Sequence, residues 1–284
     1  MLECVANVSE GRDPEVLRAL ERACGASLLD VHTDADHHRS VFTLAGPDAT
    51  DAYDAAQSLA RSVAAHVDLS AHTGVHPRLG ALDVVPFVAL AGRPITDAVR
   101  AARDFAEWIA EELHVPAFLY DAAAGGARSL PQVRASAFRE FAPDAGPATP
   151  HPRMGAVAVG ARPPMIAVNC ELATDDLAVA KRIAHAVRER DGGLPGVRAL
   201  GFPLDTVGHA QVSMNLVALE RTGLQAACDA VRGQARDAGT EVVRVELVGL
   251  LPADELARCD AAFVAFAGLT EAQTIEGRMG GRCS

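Results

Sequence analysis

Residues 2–8 run apolar, and behind them the period lengthens: Val16, Leu17, Leu20 and Cys24 form one stripe, which predicts a strand followed by a helix. Asp13 stands where that helix needs a cap, Pro14 suits its first turn, and Gly25 ends it. Residues 27–31 and 39–44 read as two more strands on their β-branched and aromatic content, with a polar loop over 32–38 between them. An alanine-rich helix over 48–67 follows, with Leu59, Val63 and Val67 four apart, and then a strand over 81–88. The order is βαββαβ, the split unit of a ferredoxin-like fold.

A helix over 96–113, with Val99, Ala102, Ala106, Ile109 and Leu113 on one face, and a short strand over 116–120 extend this unit. Residues 125–162 hold five prolines and little periodicity, which predicts a long ordered loop or connector. From Met165 the pattern restarts, with strands over 165–169, 197–202, 210–217 and 241–248 and helices over 174–190 and 222–238. In 210–217, Val212, Met214 and Leu216 alternate with Gln211, Ser213 and Asn215, so one face is apolar and the other is solvated or lines a cleft. The expected fold class is α+β: two ferredoxin-like βαββαβ subdomains, residues 1–162 and 163–284, with antiparallel sheets backed by helices and a substrate groove or tunnel between them. The tail beyond Phe266 is polar and glycine-rich, and is expected to be poorly ordered.

Composition narrows the function. The chain is 49% hydrophobic and 22% charged, without a membrane-spanning apolar run, which describes a soluble globular protein. The first ten residues carry an acid and no cationic segment before an apolar core, so they do not read as a secretory signal, and the cytoplasm is the expected compartment. A net charge of −11 opposes nucleic acid and anionic membranes as partners, while arginines focused in a cleft can still bind small anions. The six cysteines contain no CxxC pair, which argues against a zinc ribbon or a disulfide framework and for small buried apolar side chains.

The densest polar cluster is H72-T-G-V-H76-P-R78-L-G80-A-L-D83, in a loop between a helix and a strand. His76 beside Arg78 joins a proton carrier that titrates near neutrality to a fixed anion clamp; the plainer alternative is a histidine that caps loop backbone. His72 and His76 have ligand spacing only on a helix, which Gly74 and Pro77 oppose, so no metal is expected. His37, His38 and Arg39 form a second cluster, and H151-P-R153-M-G155 repeats the HPR-x-G wording inside the proline-rich stretch. Asp83 either orients a site histidine or satisfies local amides. No GxGxxG, P-loop or GxSxG occurs in its required context.

Five stretches follow one another in order between residues 5 and 162: V5-A-N-V-S-E-G11, L28-L-D-V31, H38-R-S-V-F-T43, H76-P-R-L-G-A-L-D-V84 followed by Pro86-Phe87, and G155-A-V-A-V-G-A-R162. They resemble the formimidoyltransferase domain that animals fuse to a cyclodeaminase. The resemblance implies two βαββαβ subdomains over a substrate tunnel and a homodimer. It also implies transfer of a formimidoyl group from formimidoylglutamate to N5 of tetrahydrofolate as co-substrate, with His76 catalytic and no metal. The folate-contacting stretch corresponds to Gly146, Pro147, Ala148, Thr149, Pro150, His151, Pro152, Arg153, Met154 and Gly155. Arg78 and Arg39 are candidates for the substrate carboxylates, since guanidinium groups bind them bidentately; His38, His32 and Asp83 complete the candidate substrate-binding set. Release of ammonia is expected from a separate cyclodeaminase. The animal enzymes carry an acid at the position of His32, and Asn is usual at that of His38, which puts the donor in question. Formyl transfer to folate, non-catalytic folate binding, and a metal-dependent hydrolase using His72, His76, His37 and His38 are the alternatives.

Overall fold

The first six elements are β1 (Leu2–Val8), α1 (Pro14–Cys24), β2 (Leu28–Asp34), β3 (Arg39–Ala45), α2 (Asp51–His66) and β4 (Leu82–Ala89). They come from a computed structural model of the chain, which describes residues 1–48, 50–72, 78–90, 92–204 and 208–280. Asp13 accepts hydrogen bonds from the Glu15 and Val16 amides, Pro14 fills the first turn of α1, and Gly25 closes it at φ 58°. α2 buries Ala52, Ala55, Ala56 and Ala60 beside Leu59 and Val63, small side chains that let it lie close to the sheet. The four strands pair antiparallel in the order β2-β3-β1-β4, the ferredoxin-like arrangement.

α3 (Ile95–Leu113), β5 (Ala117–Asp121), α4 (Leu130–Ser136) and β6 (Val157–Arg162) complete a compact unit, Met1–Pro163. β6 lies between β4 and β5 and runs parallel to both. Two expectations change here. The first sheet has six strands and is mixed, not antiparallel throughout, and the stretch read as a connector contains a helix and an inner strand. The physical reason is burial on both faces. Val157, Val159 and Ala161 join the core that includes Phe105 and Ile109 of α3. Ala158 on the other face packs with Phe118, Tyr120 and Val133 of α4. A strand covered on both sides shows no alternation of apolar and polar residues.

The second compact unit spans Pro164–Ser284. β7 (Ile166–Leu172), α5 (Leu177–Val187), β8 (Val197–Leu204), β9 (His209–Leu216), α6 (Leu224–Asp237) and β10 (Val242–Val248) repeat the βαββαβ order, and the sheet is antiparallel, β10-β7-β9-β8. Ile166, Val168, Cys170 and Leu172 of β7 pack with Ile183 of α5 and Val231 of α6. α7 (Ala253–Ala257), α8 (Ala261–Ala267) and α9 (Ile275–Gly280) follow. The tail expected to lack order is therefore structured as far as Gly280. Leu269 and Ile275 are buried anchors within it. The Leu251 amide donates to the Gln273 carbonyl (3.1 Å), and the Ile275 amide donates to the Leu251 carbonyl (3.0 Å).

Among the described residues, Cys4, Cys24, Cys170 and Cys228 are buried free thiols and Cys259 is a half-buried one. Burial pushes the Cys24 thiol up to about 12. No helix among the described residues is long and apolar enough to cross a membrane.

Candidate active site

Asn7 of β1 faces Val84 and Val8 faces Leu82, so Asp83 is the extra residue of a β-bulge. Its side chain is fully buried, with 0% exposure, and both oxygens are in use. Oδ1 accepts from the amides of Leu79 (2.5 Å) and Gly80 (3.4 Å), and Oδ2 accepts from Arg39 Nη1 and Arg134 Nη2, each at 2.6 Å. Burial alone drives this carboxyl up; Arg39, Arg134 and the Leu79 amide outweigh it and hold the group below the usual carboxylate range. Arg39 also donates from Nε (3.2 Å) and Nη2 (2.9 Å) to Asn7 Oδ1. Asp83 thus satisfies two amides and pairs with two guanidiniums.

Sequence reasoning missed Arg134, which lies on α4 inside the proline-rich stretch. A seven-residue helix shows too little periodicity to stand out, but its start is marked by the capping box of Ser129 and Gln132 with a proline in the first turn.

The end of β1 and the β2–β3 hairpin build the second part of the site. Glu10 Oε1 accepts from the amides of Gly11 (2.8 Å), Arg12 (2.7 Å) and Asp13 (3.0 Å), and His38 Nδ1 also accepts from Gly11 (3.1 Å). A Cβ at Gly11 would lie 2.4 Å from the Asp34 carbonyl oxygen, so only glycine fits there. His38 has φ 48°, the left-handed region that asparagine enters more easily than most residues. His72 stacks on His38 with ring centroids 4.0 Å apart. Its Nε2 lies 3.2 Å from the His38 carbonyl, and the Arg78 guanidinium reaches both ring nitrogens, 2.6 Å from Nε2.

Burial, with Arg78 and His38 beside it, pushes the His72 imidazole down to about 4. Burial lowers His38 as well, and Arg12 and Arg78 add to this against the opposing pull of Glu10. Arg78 itself is lowered by burial and then by Arg39, Arg12 and Arg134. An acidic chain has gathered four guanidiniums at one end of its first unit, a setting suited to a carboxylate ligand.

This geometry carries a pH prediction. The His72 imidazole titrates lower in the folded chain than its ordinary 6.5, so the unfolded chain binds the proton first as pH falls. Its contribution to stability is complete above pH 6.5 and is lost as pH falls toward about 4. Thermal midpoints measured across that window drop in the wild-type protein and drop less in His72→Gln; equal slopes would contradict the assignment.

The remaining candidates divide. His37 pairs through Nδ1 with Asp34 Oδ2 (2.5 Å) within the hairpin. His32 is half-buried on the outer strand β2, opposite Val41. His76 and the rest of 73–77 lie outside the described residues. No group of three or more His, Cys, Asp or Glu side chains among the described residues could hold a metal ion.

The two HPR-x-G segments meet. Gly80 and Gly155 form an antiparallel bridge, the Ala81 amide donates to the Met154 carbonyl (2.9 Å), and the Ala156 amide donates to the Leu79 carbonyl (3.1 Å). A Cβ on Gly80 would lie 2.0 Å from the Ala156 carbonyl oxygen, and one on Gly155, which has φ 68°, would lie 2.6 Å from that of Leu79. Within the second segment, His151 and Gly155 exchange two backbone bonds of 2.8 Å, and His151 Nδ1 accepts from the amides of Arg153 (3.2 Å) and Met154 (3.0 Å). Arg153 Nε reaches Asp68 Oδ2 at 3.2 Å, Met154 is buried, and 146–150 are exposed.

Comparison with known proteins shows the family. Residues 1–162 match the family model described as formiminotransferase domain, N-terminal subdomain, and residues 167–276 match the formiminotransferase domain. The chain is 37% identical over 271 residues to the glutamate formimidoyltransferase of Streptococcus pyogenes serotype M1, which covers 90% of each protein. It is 36% identical over 296 aligned positions to that of Thermoplasma acidophilum, covering 98% of this chain and 97% of the other. To the formimidoyltransferase-cyclodeaminase of Sus scrofa it is 39% identical over 274 residues, 89% of this chain and 50% of that protein.

Proposed function

This chain belongs to the formiminotransferase family, and we infer that it moves a formimidoyl group from N-formimidoyl-L-glutamate to tetrahydrofolate, giving 5-formimidoyltetrahydrofolate and L-glutamate. The observation that carries the reading to residues is the junction at Gly80 and Gly155. It ties the strand that follows His76-Pro77-Arg78 to the turn that ends the 146–155 stretch. In this reading the donor is held on the His76 side and folate along 146–155, so the two reactants are brought together by backbone bonds rather than by flexible side chains.

N5 of tetrahydrofolate attacks the amidine carbon, and the tetrahedral intermediate collapses with loss of the glutamate nitrogen. N5 must shed a proton and the departing nitrogen must gain one. His76 takes the first and returns it to the second, and no covalent enzyme intermediate is needed. Arg78 and Arg39 face the donor carboxylates, and His38 and His72 line the same end of the unit. His72, held near a pKa of about 4, stays neutral at working pH and serves as a fixed hydrogen-bonding wall rather than a proton carrier.

The donor is tested by supplying N-formimidoyl-L-glutamate and N-formyl-L-glutamate separately with tetrahydrofolate. The expected result is L-glutamate release from the formimidoyl donor at a rate at least ~10-fold above the formyl donor, since a site that hydrogen-bonds an N–H discriminates against an analogue lacking it. A preference for the formyl donor would replace this reading with formyl transfer.

A further inference from the structure

One oxygen of Asp83 takes two guanidiniums and the other takes two amides, from segments that are otherwise separate in the chain. Arg39 begins β3, Arg134 lies on α4, and Leu79 and Gly80 follow directly on Arg78. An ordinary structural ion pair needs one arginine and no backbone. A carboxylate at 0% exposure that joins three segments also fixes where each stands, because both oxygens must stay satisfied once they are out of water. The bulge supplies the aim: as the extra residue between Leu82 and Val84, Asp83 departs from the regular alternation of β4.

We propose that Asp83 is a positioning residue for the transfer reaction: from its bulge it sets Arg39 and the backbone after Arg78 for the donor's carboxylates, with Arg134 as the clamp that orients the Asp83 carboxylate. The proposal rests on the transfer reaction inferred above and adds two residues to it. Asp83 touches no reactant, and Arg134 acts through Asp83. The donor is the substrate affected, because the groups Asp83 holds are Arg39 and the segment next to Arg78.

Asp83→Asn keeps the size and leaves one oxygen for the Leu79 and Gly80 amides, but removes the charge that holds the arginines. Steady-state kinetics with both substrates varied are compared for wild type, Asp83→Asn, Arg134→Met, Arg134→Lys and the double variant Asp83→Asn/Arg134→Met. The expected result for Asp83→Asn is a KM for N-formimidoyl-L-glutamate raised about 10- to 100-fold, the span of one or two charge-assisted hydrogen bonds, with KM for tetrahydrofolate within about twofold of wild type. Arg134→Lys recovers part of what Arg134→Met loses. The double variant relieves the repulsion between the arginines, so it regains thermal stability lost in Asp83→Asn without regaining the donor KM.

Recovery of stability and donor KM together would make Asp83 a counter-ion only and overturn the proposal. An unchanged donor KM in Asp83→Asn would overturn it while leaving the transfer reaction intact. If wild type fails to turn over, the transfer reading falls, and calorimetry with L-glutamate decides the rest: binding weakened in Asp83→Asn supports the anion-positioning role, and equal binding removes it. If Asp83→Asn does not fold, the Arg134→Met and Arg134→Lys pair carries the same comparison.

Discussion

His76→Ala lowers kcat by about 10²- to 10⁴-fold, the usual worth of a positioned acid–base group, and leaves the Kd for tetrahydrofolate within about twofold of wild type. Attack by N5 leaves a proton on the new ammonium centre, and the glutamate nitrogen departs well only after it gains one. A single imidazole titrating near neutrality can do both in turn. The arginines cannot, because their guanidiniums stay charged. His72 is a poor substitute, since burial and Arg78 hold it down to about 4. Single-turnover kinetics give kcat for the chemical step, and fluorescence titration gives the Kd. Loss of folate affinity together with turnover would assign His76 to binding or to loop structure instead.

The second large effect is expected at Gly80, far smaller in volume than any catalytic side chain. Gly80→Ala forces a Cβ to within 2.0 Å of the Ala156 carbonyl oxygen and 2.5 Å of that of Met154, both backbone atoms that cannot swing aside. The two strands must part, and the bonds from Ala81 to Met154 and from Ala156 to Leu79 go with them. Unfolding in urea should show a loss of roughly 2–3 kcal/mol, the upper range for overpacking. Displacing by about an ångström the segments assigned to the two reactants should lower kcat/KM about 10²-fold. Gly233→Ala is the control: it lies inside α6 with no atom near the new Cβ, and should stabilise by about 0.5–1 kcal/mol with unchanged kinetics. If Gly80→Ala behaved like this control, the junction would have no part in function.

The ferredoxin-like halves were legible because their strands face a core on one side and helices cover it with a clear stripe. Val212, Met214 and Leu216 of β9 show the alternation, and all three are buried. β6 hid for the opposite reason: Val157 to Ala161 is apolar on both faces, and its neighbours α4 and the 146–155 turn are short or proline-rich. Arg134 was hidden with them. The repeated HPR-x-G wording was visible in the sequence, but the contact between Gly80 and Gly155 is a long-range pairing that no local pattern announces. Asp83 was legible as a polar residue within strand sequence; its role depends on a bulge and on an arginine from α4, both tertiary facts. His38 illustrates a third case, since its left-handed backbone explains why asparagine suits that corner and the histidine ring is nevertheless held there by Gly11 and His72.

The measurement that bears most directly on the account is the reaction itself. Purified protein is mixed with N-formimidoyl-L-glutamate and tetrahydrofolate, and free L-glutamate and 5-formimidoyltetrahydrofolate are followed together. The account predicts that they appear in equal amounts and that neither forms when one substrate is omitted. Glutamate released without folate would make the protein a hydrolase, and folate bound without any glutamate release would make it a binding protein; either result contradicts formimidoyl transfer.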